Sequence, residues 1–324
     1  MTPEHTALDG PEPISLGELP ALNALFSEAF SERYRRDGMT GVRVPPLNPP
    51  IWRYAIECAG QGAMLWRDAQ GRIAAFNLAH VSGTEGWMGP LAVREELQGR
   101  GVGRRIVSAG VEHLRQSGCR TIGLETMPRT MENIGFYARL GFVPASMTIT
   151  LTMEALGGDA EMPELLSDSG ELARQDLVEE CRALTDVVRK GSDYSREIQL
   201  TLRHAIGDLA LLRDARGAIT GFALFHHVPL VEGRSREEMR ALKLVVADEA
   251  DLPRLAALLR AQARRSGTLR VGVRMQGEYG SAFAALVAAG ARVRWTDLRM
   301  VLASPVAADA SRVGRGLVLS NWEI

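Results

Sequence analysis

Apolar residues recur along the chain with two distinct periods. Leu22, Leu25, Phe26 and Phe30 fall at helical spacing and predict a helix over Leu19–Tyr34, with a second short one over Ile51–Ala59. The segment between them, Val44-Pro45-Pro46-Leu47-Asn48-Pro49-Pro50, reads as a stiff loop because its prolines disfavour a helix interior. Ala63–Trp66 and Arg72–Val81 predict a hairpin about the turn Asp68-Ala69-Gln70-Gly71, and Trp87–Val93 continues that sheet. A helix over Val102–Gln116 carries Ile106, Val107, Gly110, Val111 and Leu114 on one face. Thr121–Thr126 then reads as a strand, Asn133–Leu140 as a helix, and Phe142 opens the closing strands, with a β-type run over Met147–Met153.

The same order then returns. Leu156-Gly157-Gly158-Asp159 breaks the pattern, and an acidic stretch (Asp159, Glu161, Glu164, Asp168, Glu171) precedes Arg174, which reads as a solvated linker leading into a helix. Beyond it, Leu209–Leu212 and Ile219–Phe225 form a hairpin about Asp214-Ala215-Arg216-Gly217. Strand Leu242–Val246, helix Leu252–Ala263, strand Leu269–Val273, helix Ala282–Ala288 and a strand from Val293 follow. Gly141 aligns with Gly290 and Ser117-Gly118 with Ser266-Gly267, both 149 residues on. One offset at two turns, in one element order, points to duplication. The expected fold class is α/β, with mixed sheets: two tandem units, residues 1–156 and 157–324, each a mostly antiparallel twisted sheet flanked by helices.

A length of 324 residues suits two domains. The net charge of −1 gives no field that would favour nucleic acid or an anionic membrane. No apolar run approaches the roughly 20 residues of a membrane span. Met1–Pro13 holds acidic residues and prolines where a secretory signal needs a basic stretch and an apolar core, so a cytoplasmic location is expected. Cys58, Cys119 and Cys181 lack the spacing of a disulfide framework or zinc ribbon, and Cys119 reads as a small core residue. His226 and His227 are adjacent on a strand and face opposite ways, while His80 and His113 have no partners at metal spacing. No metal is expected, and a homodimer is left open.

The chemistry concentrates after the strand ending Leu91-Ala92-Val93. The segment Arg94-Glu95-Glu96-Leu97-Gln98-Gly99-Arg100-Gly101-Val102-Gly103-Arg104-Arg105 carries a glycine-rich turn into a helix. Glycines allow positive φ and close approach of a ligand to the main chain, and amides at a helix start suit phosphate. A P-loop needs a lysine after its last glycine, and none is present. The dinucleotide fingerprint needs a glycine three residues after its second one, where Arg104 or Ile106 stands.

What fits is Gln-x-x-Gly-x-Gly over Gln98–Gly103, and it resembles the coenzyme A loop of the GNAT superfamily of N-acetyltransferases. The resemblance extends over most of residues 15–153: the Leu-Ala-Val strand, the strand ending Leu124-Glu125-Thr126, and Asn133-Ile134-Gly135-Phe136-Tyr137-Ala138-Arg139-Leu140-Gly141-Phe142 agree with the family in type and order. It implies acetyl-CoA as co-substrate. Main-chain groups of Leu91, Ala92 and Val93 would pair with its pantetheine, and Gln98, Gly99, Arg100, Gly101, Val102, Gly103 and Arg104 would hold its pyrophosphate. Tyr137 would protonate the departing thiolate. Thr130 stands where many members carry a cofactor-binding asparagine, and Asn133 either substitutes for it or caps the helix.

An alkyl amine of pKa near ~10 must lose a proton before it attacks, a deficit of roughly 4 kcal/mol at pH 7. Glu125 is the first candidate base and Glu85 the second. The second unit replaces the loop by Ala247-Asp248-Glu249-Ala250-Asp251-Leu252-Pro253, with three carboxylates and no glycine, and Tyr137 corresponds there to Leu286. It is expected to be degenerate. The expected activity is direct acetyl transfer to a primary amine of a small molecule. The alternatives are a non-catalytic acyl-CoA sensor and a protein or peptide acetyltransferase.

Overall fold

The computed structural model describes residues 8–157, 160–303 and 314–323. Its backbone is one curled mixed sheet with helices on both faces. The first half runs β1 (Asp9–Pro13), α1 (Leu19–Arg36), α2 (Pro49–Ala59), β2 (Ala63–Arg67), β3 (Ile73–Ser82), β4 (Glu85–Val93), α3 (Val102–Gln116), β5 (Thr121–Thr126), α4 (Met131–Ala138) and β6 (Phe142–Glu154). The second runs β7 (Glu164–Leu165), α5 (Glu171–Val188), α6 (Ser195–Arg203), β8 (Gly207–Arg213), β9 (Ile219–His226), β10 (Glu238–Val246), α7 (Leu252–Arg265), β11 (Arg270–Gln276), α8 (Gly280–Ala288), β12 (Arg292–Leu302) and β13 (Leu317–Ser320). The break at Gly158-Asp159 lies outside the described residues.

Most expected elements are present. Pro49 and Pro50, read as loop, instead begin α2: the first turn of a helix has no use for their missing N–H, and their fixed φ suits it. Strand β1, helix α6 and strand β13 had no counterpart in the sequence reading.

The sheets of the two halves run into one another. The strands form a single order, β1-β2-β3-β4-β5-β12-β6-β11-β10-β9-β8-β7, with β13 bonded to β10. β12 enters the first half's sheet, pairing Arg299 with Glu125 and Met300 with Leu124. β6 leaves it, lying between β12 and β11 and pairing Thr150 with Arg274. Each half therefore completes the other's sheet.

Two places on this sheet are built alike. β4 and β5 are parallel and bonded only from Glu85–Thr121 to Met88–Leu124. β10 and β11 are parallel and bonded only from Glu238–Arg270 to Ala241–Val273. Beyond Met88 the outer edge of β4 is open, whereas beyond Ala241 the edge of β10 is taken by β13, with Lys243 opposite Ser320 and Val246 opposite Leu317. The repeat is thus visible in three dimensions, with one slot open and one filled by the chain itself.

Helix α3 is seated by small residues and one polar contact. A Cβ on Gly110 would collide with Asn77 Nδ2 and stand 2.6 Å from Met88 Sδ. Asn77 Nδ2 also donates to the Ile106 carbonyl at 3.2 Å. Expressed alone, residues 1–156 would leave β5 without β12 and strip β6 of both neighbours, exposing unpaired edges. That fragment should aggregate or lack near-UV circular dichroism, while co-expression with residues 157–324 should give a 1:1 complex by size exclusion. A monomeric, cooperatively melting fragment would contradict this arrangement.

Candidate active site

The site is built where β4 parts from β5. Leu91, Ala92 and Val93 bond to β3 through Asn77, Phe76 and Ala75, and among the described residues no strand lies beside their other edge. The chain then turns through a short 3-10 segment, Glu95–Leu97, into the glycine loop. Gly99 and Gly101 hold φ of +74° and +82°, with nothing within 4 Å of where a Cβ would stand. Here the glycine is required by backbone conformation and not by crowding. Among the described residues the N–H groups of Gly99, Arg100, Gly101, Val102, Gly103 and Arg104 donate to no protein acceptor. Three of these open α3, whose dipole adds positive potential at that end.

Gln98 has a different place from the one expected. Its N–H donates to Glu95 O, its Nε2 donates to Val93 O at 3.0 Å, and its Oε1 accepts from Arg36 at 3.0 Å. It ties the loop to β4 and α1 and leaves its own groups engaged. Arg100 and Arg104 are exposed, while Arg105 is spent on the carbonyls of Leu8 and Gly10.

Tyr137 lies on α4, 7% exposed, in the core that α3 forms with β4, β5 and β12. Its ring packs edge-on against Phe142 at 6.0 Å and beside Phe136 at 5.1 Å. Burial raises its pKa, so the phenol stays protonated at any working pH. Its hydroxyl makes no hydrogen bond among the described residues. Phe136 ties α4 to the loop, since a Cβ on Gly103 would stand 3.2 Å from its Cζ. Asn133 does not cap α4: Thr130 occupies the N-cap, its Oγ1 donating to Asp37 Oδ2 at 2.6 Å, and Asn133 is half-buried in the first turn.

The expectation that Glu125 is a free base is corrected by its surroundings. Its carboxylate accepts from Arg274 Nη2 at 2.6 Å, Arg299 Nη2 at 2.7 Å and Thr148 Oγ1 at 2.6 Å, with the side chain 2% exposed. Burial opposes ionisation, but the two guanidiniums win and hold the carboxyl at about 2. A carboxylate so held is a poor proton acceptor at neutral pH. Glu85 is engaged likewise: it accepts from Arg189 at 3.1 Å, from Trp322 Nε1 at 2.9 Å and from the Ser320 hydroxyl. It anchors the C-terminal segment and is not free either.

The sequence reading missed that segment and the charges beneath it. Lys243 Nζ donates to Ser320 Oγ at 2.9 Å and Asn321 O at 3.1 Å, and the Arg299 guanidinium stacks 3.7 Å above the Trp322 ring. Trp322 lies against the parting itself: a Cβ on Gly123 would run into its ring, and one on Gly89 would stand 3.7 Å from its carbonyl oxygen. The alternation of charged residues in Asp297-Leu298-Arg299 was the available signal, and it looks the same for a solvated strand as for a buried network.

No cluster of histidine, cysteine and carboxylate residues suited to a metal occurs among the described residues. Nor is any helix there long and apolar enough to cross a membrane. Cys119 sits half-buried, its thiol pushed up to about 11 by burial.

Residues 21–142 match the family described as Acetyltransferase (GNAT) family. Over 120 residues the chain is 33% identical to glucosamine 6-phosphate N-acetyltransferase 1 of Oryza sativa subsp. japonica, covering 33% of this chain and 71% of that protein. The chain belongs to the GNAT family of acetyltransferases. It is also 41% identical over 59 residues to the uncharacterized N-acetyltransferase YjhQ of Escherichia coli (strain K12), covering 18% of this chain and 29% of that one. Among solved structures, a putative acetyltransferase from Pyrococcus horikoshii superposes with a TM-score of 0.68 at 15% identity, covering 98% of this chain and 95% of that one. A tandem GNAT protein from the clavulanic acid biosynthesis pathway superposes with a TM-score of 0.60 at 15% identity, covering 91% and 98%. These structures share the fold, including its doubled layout.

The Glu125 network has a consequence for stability. A carboxyl near 4.5 when unfolded and about 2 when folded adds stability that is complete above pH 4.5 and is lost as pH falls towards 2. Glu125→Gln leaves the buried Arg299 without a carboxylate and takes one of three from Arg274, and should cost about 3–5 kcal/mol at pH 7. In urea titrations this deficit should shrink as pH falls below 4.5; a deficit independent of pH would mean the ion pairs do not set it.

Proposed function

We propose that the chain transfers an acetyl group from acetyl-CoA to a primary amine of a small molecule, by direct attack of the amine on the thioester. The observation that carries this is the pairing of two unfilled sets of main-chain groups: the open edge of Leu91–Val93 and the unbonded amides from Gly99 to Arg104. An extended amide-bearing arm can bond to an open strand edge. A diphosphate suits a helix start with free amides, and hydrogen bonds to charged groups contribute about 1.5–3 kcal/mol each. Exposed Arg100 and Arg104 add charge nearby, Gln98 shapes the loop from behind, and Asn133 is kept as a candidate coenzyme contact.

Tyr137 serves as hydrogen-bond donor to the leaving sulfur. Its raised pKa makes full proton transfer to a thiolate near ~8.5 uphill, so the bond stabilises the developing charge and the proton follows as the thiol departs. The second half is read as degenerate. Leu286 lies at the position of Tyr137, carboxylates replace the glycines, and β13 already occupies the strand edge that the coenzyme arm would need. Residues 1–156 supply the coenzyme contacts, and residues 157–324 supply β12 and the C-terminal segment that complete the site.

Two substitutions test separate parts. Gly101→Val forces a β-branched residue into the left-handed region and disturbs the loop, so calorimetry should show acetyl-CoA affinity falling at least about tenfold. Unchanged affinity would refute the loop assignment. Tyr137→Phe keeps the ring and its packing, so melting should be unchanged while kcat falls about 100-fold and coenzyme Kd stays within about twofold. Equal turnover would remove the tyrosine from the chemistry.

A further inference from the structure

The reading above leaves the proton of the incoming ammonium without a destination, because Glu125 and Glu85 are both held in ion pairs. The joint between the halves supplies one. Strands β5 and β12 turn Leu124 and Met300 toward the α3 core that contains Tyr137, and turn Glu125, Asp297 and Arg299 to the opposite face, where the C-terminal segment lies. Arg274 of β11 is there the shared partner of three carboxylates: Glu125 at 2.6 Å, Asp297 at 3.0 Å and Glu323 at 2.9 Å. Arg299 contacts Glu125, at 2.7 Å. Three carboxylates thus meet two guanidiniums at contact distance, and Asp297 and Glu323 compete for one of them.

The two carboxylates differ in access. Asp297 is 5% exposed at its side chain, whereas Glu323 keeps 49% of its side chain open to solvent. Glu323 directly follows Trp322, whose carbonyl and ring lie against the parting of β4 and β5. Tyr34, near the end of α1, feels both Glu323 and Asp297, and Arg240 of β10 acts on Glu323 from farther away. Burial and the charges of Asp297 and Glu125 push the Glu323 carboxyl up to about 7 against the pull of Arg274, with solvent screening part of that effect.

We propose that Glu323, backed by Asp297, binds the acceptor's ammonium and takes its proton, so that the acceptor is a cationic primary amine entering from the face covered by the C-terminal segment. This rests on the acetyltransferase reading above. The ammonium gives one proton to the Glu323 carboxylate, and the neutral amine forms the C–N bond at the thioester carbonyl. The C–S bond breaks, and as the thiolate departs the Tyr137 hydroxyl passes it a proton while receiving the one that the amide nitrogen sheds, so no free tyrosinate forms. The remaining proton leaves from Glu323, whose carboxyl reaches solvent.

The test uses the full chain with acetyl-CoA and propylamine as acceptor probe, following thiol release from pH 5.5 to 9.5 beside coenzyme affinity by calorimetry. In the wild type, kcat/KM for propylamine should rise through an acidic limb no higher than about pH 7, since solvent screens part of the shift. Glu323→Gln should lower it about 100-fold or more and abolish the limb, leaving coenzyme affinity and melting unchanged. Glu323→Asp should restore the limb at a reduced rate. Asp297→Asn removes a negative neighbour and should move the limb to lower pH, a shift that a purely structural role would not produce. A Glu323→Gln rate within about threefold of wild type with the limb intact would overturn the proposal. So would a wild type that binds acetyl-CoA and releases no thiol with propylamine. Failure to bind acetyl-CoA at all would instead overturn the acetyltransferase reading.

Discussion

A pair of parallel strands that stay bonded for four residues and then part is the constraint on which the rest of this structure depends. While β4 and β5 remain together they are ordinary sheet. Once they separate after Met88 and Leu124, β4 keeps a row of main-chain groups that no described strand pairs with, and β5 is held from its opposite edge. That opposite edge carries β12, from the other half of the chain, and the contact is fixed by Arg299 and Arg274 closing on Glu125. The cost of burying these charges is offset only because each meets a partner at close range. Glu125 thus holds the far wall of the opening and is too tightly engaged to do chemistry within it.

The second half solves the same problem differently. Its parallel pair also parts after four residues, but β13 runs back along β10 and satisfies the exposed edge. Having filled that slot, the chain continues as Asn321-Trp322-Glu323 onto the face of the first slot, where Trp322 seats between Arg299 and Glu85. The second half supplies β12, the arginines and the terminal segment that form the far wall of the first opening.

Much of this was legible in the sequence. Helix α3 and strand β5 fall where periodicity puts them, because both have strong local patterns and clear turn signals at their ends. The glycine loop was legible because positive φ at Gly99 and Gly101 admits few other residues. The exchange of β6 and β12 was not, since nothing local tells a strand whether its partner lies in its own unit or in one about 150 residues away. The roles of Glu125 and Glu85 were misread for a related reason: their partners Arg274, Arg299, Arg189 and Trp322 all come from the other half. The tail was overlooked because Leu317-Val318-Leu319 is too short an apolar run to stand out.

The most direct measurement is hydrogen–deuterium exchange of the full chain with and without acetyl-CoA. The account predicts slowed exchange at Gly99–Arg104 and along Leu91–Val93 on addition of the coenzyme, with Lys243–Asp251 in the second half unchanged. Protection appearing at Lys243–Asp251 in place of the first loop, or at neither segment while the coenzyme binds, would contradict it.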